Sequence, residues 1–89
     1  MRLKKGFVLR NVCGENALIG EGVNAINFGK LLTLNETAAF LWKEAAEGDF
    51  TPESLATALC KEYEVEADEA RRDVDDILSQ WQQEGFIEE

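Results

Sequence analysis

Histidine is absent from this chain of 89 residues, and cysteine, proline and long apolar runs are scarce. Without histidine the chain has no Ser–His or Cys–His nucleophile pair, no imidazole general base and no histidine-ligated metal. Its two cysteines, Cys13 and Cys60, are far apart and form no CxxC motif, which argues against a zinc or redox site. We therefore expect a protein that is not an enzyme and that uses no metal and no cofactor.

Targeting and membrane signals are missing as well. No apolar run is long enough to cross a bilayer, and the basic residues at positions 2–5 are not followed by the apolar stretch of a signal peptide. These absences predict a cytoplasmic protein with no membrane partner. Apolar residues make up 45% of the chain, which is enough for one small domain with a thin core over residues 1–89.

Charge is distributed unevenly along the chain. The net charge is −9, with an excess of basic residues before residue 35 and sixteen acidic against four basic residues after it. An acidic surface repels phosphate backbones and attracts basic partners. We therefore predict no nucleic-acid partner, and a winged-helix nucleic-acid-binding protein remains only an alternative.

Residues before position 35 have the pattern of a small sheet. Glycines separate short stretches of β-branched, aromatic and aliphatic residues, which predict strands near residues 7–12, 17–19, 23–28 and 31–34. The connections are short, and parallel strands need long crossovers, so the pattern predicts an antiparallel meander. A sheet of this size leaves at least one edge with unpaired main-chain groups.

Three helices are predicted after the strands. Asn35 is a suitable N-cap for the first, although Thr33 and Glu36 could instead form a capping box. The pair Thr51–Pro52 starts the second helix, and the third spans about Glu66 to Glu84. The fold class is therefore α+β, with an antiparallel sheet of three to four strands over about 6–34 and three helices over about 35–84, similar to a winged helix-turn-helix.

One serine suggests a different class of function. Glu53-Ser54-Leu55 at a helix start resembles the Asp-Ser-Leu site where acyl carrier proteins take a phosphopantetheine arm. Those carriers are also small and acidic, but they are all-helical, whereas the first third of this chain has a strand pattern. An acyl-carrier-like protein using Ser54 is therefore kept as an alternative.

Five sequence blocks resemble the coenzyme PQQ synthesis protein D family, or PqqD-like proteins. The blocks are residues 31–42 (LLTLNETAAFLW), 48–56 (GDFTPESLA), 59–65 (LCKEYEV), 70–78 (ARRDVDDIL) and 85–87 (GFI). Each block is weak alone, because it encodes caps and core positions, but the five occur in the order and spacing of the family. The link at residues 27–30 departs from that of the best-known members.

The resemblance implies a peptide-binding module rather than an enzyme. PqqD-like proteins bind the leader of a ribosomally synthesised precursor peptide and present it to a modifying enzyme, often a radical S-adenosylmethionine (radical SAM) enzyme, in PQQ or related peptide biosynthesis. The leader joins as an added strand in the cleft between the last strand and the third helix. Main-chain hydrogen bonds at a sheet edge give affinity with little demand on the guest sequence.

Applied to this chain, the resemblance predicts a peptide-binding site on two elements. The strand 23–28 is the expected docking edge and the third helix is the facing wall. The residues predicted to bind the peptide are Ala25, Ile26, Asn27 and Phe28 from the strand and Arg71, Asp75 and Leu78 from the helix. Whether the chain is a monomer or a dimer paired through this edge is left open by the sequence.

Overall fold

A small antiparallel sheet followed by three helices forms the fold, in a computed structural model that describes residues 1–21 and 32–88. The strands are β1 (Arg2–Leu3), β2 (Phe7–Val12), β3 (Glu15–Gly20), β4 (Leu32–Leu34) and β5 (Ile87–Glu88), and the helices are α1 (Glu36–Ala45), α2 (Pro52–Tyr63) and α3 (Ala67–Glu84). The predicted α+β class is confirmed. The predicted strand 23–28 lies outside the described residues.

The sheet is built on a tight hairpin. Strands β2 and β3 pair from Val12↔Glu15 to Phe7↔Gly20, and β4 adds to the other side of β3, giving the order β2-β3-β4. Only Cys13 and Gly14 connect β2 to β3, and both have positive φ, 54° and 84°. Two such residues form a type I′ turn, whose twist matches that of the flanking strands.

Helices α1 and α2 each begin directly after a residue whose side chain caps the helix. The Asn35 side chain accepts a hydrogen bond from the N–H of Ala38 at 2.8 Å, so Asn35 is the N-cap of α1, and the alternative box centred on Thr33 is excluded. At α2, Thr51 and Ser54 each accept a hydrogen bond from the other's backbone N–H at 3.0 Å, and Pro52 occupies the first helical position.

The core lies between the helices and one face of the sheet. Trp42 of α1 and Trp81 of α3 pack edge-to-face with ring centroids 5.1 Å apart, and Phe86 adds a second such contact to Trp42 at 5.5 Å. Aromatic pairs in this arrangement contribute beyond the area that they bury. The core-facing residues of α1 and α3 include Ala38, Leu41, Trp42, Ala45, Ala70, Val74, Leu78 and Trp81, which are buried.

A second, two-stranded sheet joins the two ends of the described chain. Arg2 pairs with Glu88 and Leu3 with Ile87, and the N–H of Lys4 donates to the carbonyl of Phe86 at 2.8 Å. The sequence predicts only an apolar tail at residues 86–87, because two-residue strands carry no recognisable period. In the described part of the chain, no helix has the length and apolar character needed to cross a membrane.

Candidate functional site

Hydrogen bonding in the hairpin determines which main-chain groups of β3 face β4. The N–H of Glu21 donates to the carbonyl of Gly6 at 2.7 Å, so Glu21 faces the β2 side of the hairpin. Successive residues of a strand direct their N–H and C=O groups to opposite sides. Asn16 and Leu18 therefore direct theirs towards β4, where their partners are Leu34 and Leu32.

Strand β4 consequently has one bonded side and one open side. Leu32 and Leu34 form the hydrogen-bonded pairs with β3, whereas the N–H and C=O of Thr33 point away from the sheet. Within residues 1–21 and 32–88, no strand pairs with this second side of β4. Thr33 is exposed and Leu34 is buried, so the open edge lies at the boundary between the core and the surface.

A groove of about 220 Å³ lies between the start of α1, which directly follows β4, and the middle of α3. Its lining residues are Asn35 and Thr37 from the start of α1 and Asp73, Asp76 and Ile77 from α3. The groove therefore joins the C-terminal end of β4 to the middle of the longest helix. This places it in the region where the family resemblance predicts the cleft.

Helical geometry explains which α3 side chains reach the groove. The residues Ala70, Val74, Leu78 and Trp81 face the core and are buried. Asp73 and Ile77, four positions apart, lie along one flank of that stripe and are half-buried. Asp76 lies on the same flank but further from the buried stripe, and it is exposed.

The groove is acidic and has one apolar wall. Its described lining residues include two carboxylates and no basic side chain, and Ile77 provides the apolar surface. In the part of the chain that the structure describes, Asp73 and Asp76 have no ion-pair partner. The same residues contain no group of three acidic or cysteine side chains placed to hold a metal ion. An open edge beside such walls suits an extended chain carrying basic and apolar side chains.

Of the three helix residues predicted from the sequence, one lies in the core and two lie on the other flank of α3. Leu78 is 5% exposed and belongs to the core. Arg71 donates to Asp75 at 3.0 Å and to Glu53 of α2 at 3.2 Å, and the hydrogen bond to Asp75 raises the pKa of Arg71. Arg71 and Asp75 are thus brought together, but on the side that packs against α2. Their contact with a peptide stays a prediction.

The strand part of the predicted site cannot be compared with the structure, whereas the helix part can. The predicted docking residues Ala25, Ile26, Asn27 and Phe28 lie outside the described residues. The sequence pattern predicted other roles for the groove residues: a helix cap, a core position and part of a solvated acidic face. The spacing of Asp73, Asp76 and Ile77 beside the buried stripe is a usable signal, but it does not say which flank faces β4.

A second depression lies at the opposite edge of the sheet. It has a volume of about 590 Å³ and is lined by Phe7, Val8, Leu9, Trp42, Lys43, Ala46 and Glu47. It lies between β2 and the C-terminal half of α1, so it shares no residue with the groove at β4. The two locations can therefore be distinguished by experiment.

Comparisons with known proteins agree with the fold. Residues 15–87 match the family model of coenzyme PQQ synthesis protein D. A structure of TbiB1 in complex with the TbiA(beta) leader peptide has a TM-score of 0.79 and 24% identity, over 99% of this chain and 95% of that one. A lasso peptide synthetase B1 complexed with the leader peptide has a TM-score of 0.74 and 26% identity, over 96% and 93% of the two chains. No match was found among curated proteins.

Proposed function

Since this chain belongs to the coenzyme PQQ synthesis protein D family, we propose that it binds the leader of a ribosomally synthesised precursor peptide and presents it to a modifying enzyme. The leader adds to the sheet as a strand beside β4. The protein supplies recognition and no catalytic group of its own. Both solved structures that it resembles contain a bound leader peptide, which supports the same class of ligand here.

The observation that carries the proposal is the open main-chain edge at Thr33 next to the groove of α3. An added strand satisfies the outward N–H and C=O of Thr33, and neighbouring main-chain groups extend the ladder. Backbone pairing tolerates many guest sequences, so side-chain contacts in the groove must provide the specificity. Both elements are present in the described residues, and Asn35, which lines the groove, directly follows β4.

The partner enzyme is a separate part of the proposal. The family resemblance implies a radical SAM enzyme or another peptide-modifying enzyme, acting in PQQ biosynthesis or in the formation of a related peptide product. We place this encounter in the cytoplasm, where ribosomal precursor peptides are made. The edge offered to the leader is also the edge through which two copies could pair, so leader binding and an edge-paired dimer exclude each other.

The two alternatives have less support. The Ser54 hydroxyl accepts from the N–H of Thr51 and donates to the carbonyl of Thr51, both at 3.0 Å, so it caps α2. A nucleic-acid-binding surface needs basic residues aimed at phosphates or bases. The groove instead contains Asp73 and Asp76, and none of the described residues that line it is basic.

NMR titration tests the proposed function. The probe is the synthetic leader segment of a precursor peptide encoded beside this gene, added to the labelled protein. We expect the largest backbone shift changes at Leu32–Asn35 and at Asp73–Ile77. Changes confined to Phe7–Leu9 and Trp42 would move the site to the other edge of the sheet, and an absence of saturable changes would contradict peptide binding.

A further inference from the structure

We propose that the groove selects leaders in which a lysine or arginine and an apolar residue are separated by one residue. The cationic side chain pairs with Asp73, with the charge of Asp76 nearby, and the apolar side chain packs against Ile77. This inference rests on the proposed function and adds to it the side-chain chemistry of the guest. It follows from the charges, burial and spacing of three residues on one flank of α3.

The charge requirement follows from a contrast within α3. Asp75 is paired with Arg71 at 3.0 Å, whereas Asp73 and Asp76 have no cationic partner in residues 1–21 and 32–88. Asp73 is also half-buried, so its charge is less well hydrated than that of a fully exposed carboxylate. A cation from the guest chain would compensate both carboxylates, while an acidic guest residue would be repelled.

The apolar requirement comes from Ile77. It is half-buried and packs against the core, and its remaining exposed surface faces the groove. Covering apolar surface is favourable in proportion to the area removed from water. An aliphatic or aromatic guest residue at this point would remove that area, and a charged residue would lose hydration without gaining a partner.

The separation by one residue follows from comparing the spacing of side chains along α3 with their spacing along one face of an extended strand. Asp73 and Ile77 are four residues apart on a helix, which is about 6 Å along the axis at a rise of 1.5 Å per residue. Side chains on one face of an extended strand are two residues apart, at about 6.7 Å. A strand running beside α3 therefore presents alternate side chains at nearly the interval of the two contacts.

The charge of the groove also selects between possible guests. The start of α1 at Asn35 lies at the groove, and the positive end of its dipole would by itself favour an anion. Glu36 in the first turn offsets that end, and the two aspartates add full negative charges. The balance favours a cationic guest residue, so acidic leader segments are rejected.

A displayed library of random dodecapeptides, selected on the immobilised full chain, tests this inference. We expect enriched peptides to contain lysine or arginine two positions from an aliphatic or aromatic residue, in either order. Enriched peptides that lack this pattern would overturn the inference and leave peptide binding intact. If no peptide is enriched, the proposed function fails and the inference fails with it.

Variants link the pattern to the two aspartates. The enriched peptides, made synthetically, should bind a D73N/D76N double variant about threefold to tenfold more weakly than the unchanged protein, with a smaller dependence on salt. A D68N/E47Q double variant removes the same charge outside the groove and should bind as tightly as the unchanged protein. Equal weakening in both variants would show that only the overall charge matters and would overturn the inference.

Discussion

Thr33 lies opposite Ala17 in the pairing of β4 with β3, and this pair is the one that exchanges no main-chain hydrogen bonds. Ala17 is buried, with 1% of its surface exposed, whereas Thr33 is exposed. Within the described residues the N–H and C=O of Thr33 therefore have no strand partner, while Leu32 and Leu34 pair with β3. Under the proposed function, recognition and stability would rest on different residues of the same short strand.

Proline at this position tests strand addition directly. We expect Thr33→Pro to weaken leader binding at least tenfold, because it removes the outward N–H and places a ring at the open edge. Folding should be affected little, since Leu32 and Leu34 keep their bonds to β3 and proline is tolerated at edges with an outward N–H. Isothermal titration calorimetry gives the affinity, and urea unfolding gives the stability.

Thr33→Val is the matched control for the proline variant. It retains the N–H and a β-branched side chain, so its affinity should stay within about twofold of the unchanged protein. Tight binding by Thr33→Pro, with the fold preserved, would contradict strand addition at β4.

Arg71 distinguishes the site predicted from sequence from the groove that the structure shows. We expect Arg71→Gln to lower the free energy of unfolding only slightly, because it removes two exposed ion pairs, one within α3 and one that links α3 to α2. Leader affinity should change less than about twofold, since Arg71 lies on the flank away from the groove. A tenfold loss of affinity would instead place Arg71 in the peptide-binding wall.

The cap of α1 contributes to stability at the rim of the groove. Asn35→Ala removes the acceptor for the N–H of Ala38 and should lower the free energy of unfolding by about 1 kcal/mol. For a domain of this size the melting temperature should fall by about 4–8 °C. Asn35→Ser retains a capping oxygen and should recover most of the loss in a calorimetric scan.

Phe86 ties the C-terminal segment to the aromatic core. It is fully buried, with ring centroids 4.9 Å from Phe7 and 5.5 Å from Trp42. Phe86→Ala should cost about 3–5 kcal/mol, a large part of the stability of a small domain. Loss of near-ultraviolet circular dichroism at moderate temperature would show this, while Val12→Ala, at a side chain 41% exposed, should leave the spectrum unchanged.

Tyr63 reports on the contact between α1 and α2. Loss of hydration raises the pKa of its hydroxyl above 10.0, and the charges of Glu36 and Glu62 raise it further. The phenolate is thus disfavoured in the folded state, so Tyr63 should ionise at a higher pH than free tyrosine. As the single tyrosine of the chain it can be followed by absorbance, and Glu62→Gln should shift its titration to lower pH.

Local signals account for most of the secondary structure that could be predicted. Asn35, Thr51 with Pro52, and Gly85 mark helix ends through side-chain caps or backbone preferences that involve only nearby residues. Strands β2, β3 and β4 follow from β-branched and aliphatic runs. Strands β1 and β5 escape prediction because each has two residues and forms only when the distant partner is present.

The candidate site could be predicted only in part. The family resemblance predicts a strand edge and the third helix, but the strand chosen from the sequence was 23–28, which lies outside the described residues, whereas the open edge described above belongs to β4. The helix residues chosen from the sequence were Arg71, Asp75 and Leu78, whereas the groove is lined by Asp73, Asp76 and Ile77. Both sets lie beside the same buried stripe, so the helical period alone allows either flank.

The order of amino acids by itself determined where the helices begin, where α3 ends, which α3 residues are apolar and how strongly acidic the second half of the chain is. These properties depend on neighbours within a few positions or on composition. Only the tertiary packing decided that Asp73 and Ile77 face the start of α1 while Arg71 faces α2, and that Thr33 presents its main-chain groups outwards. The physical reason is that the rotation of a helix about its axis and the register of a strand are set by contacts with distant segments.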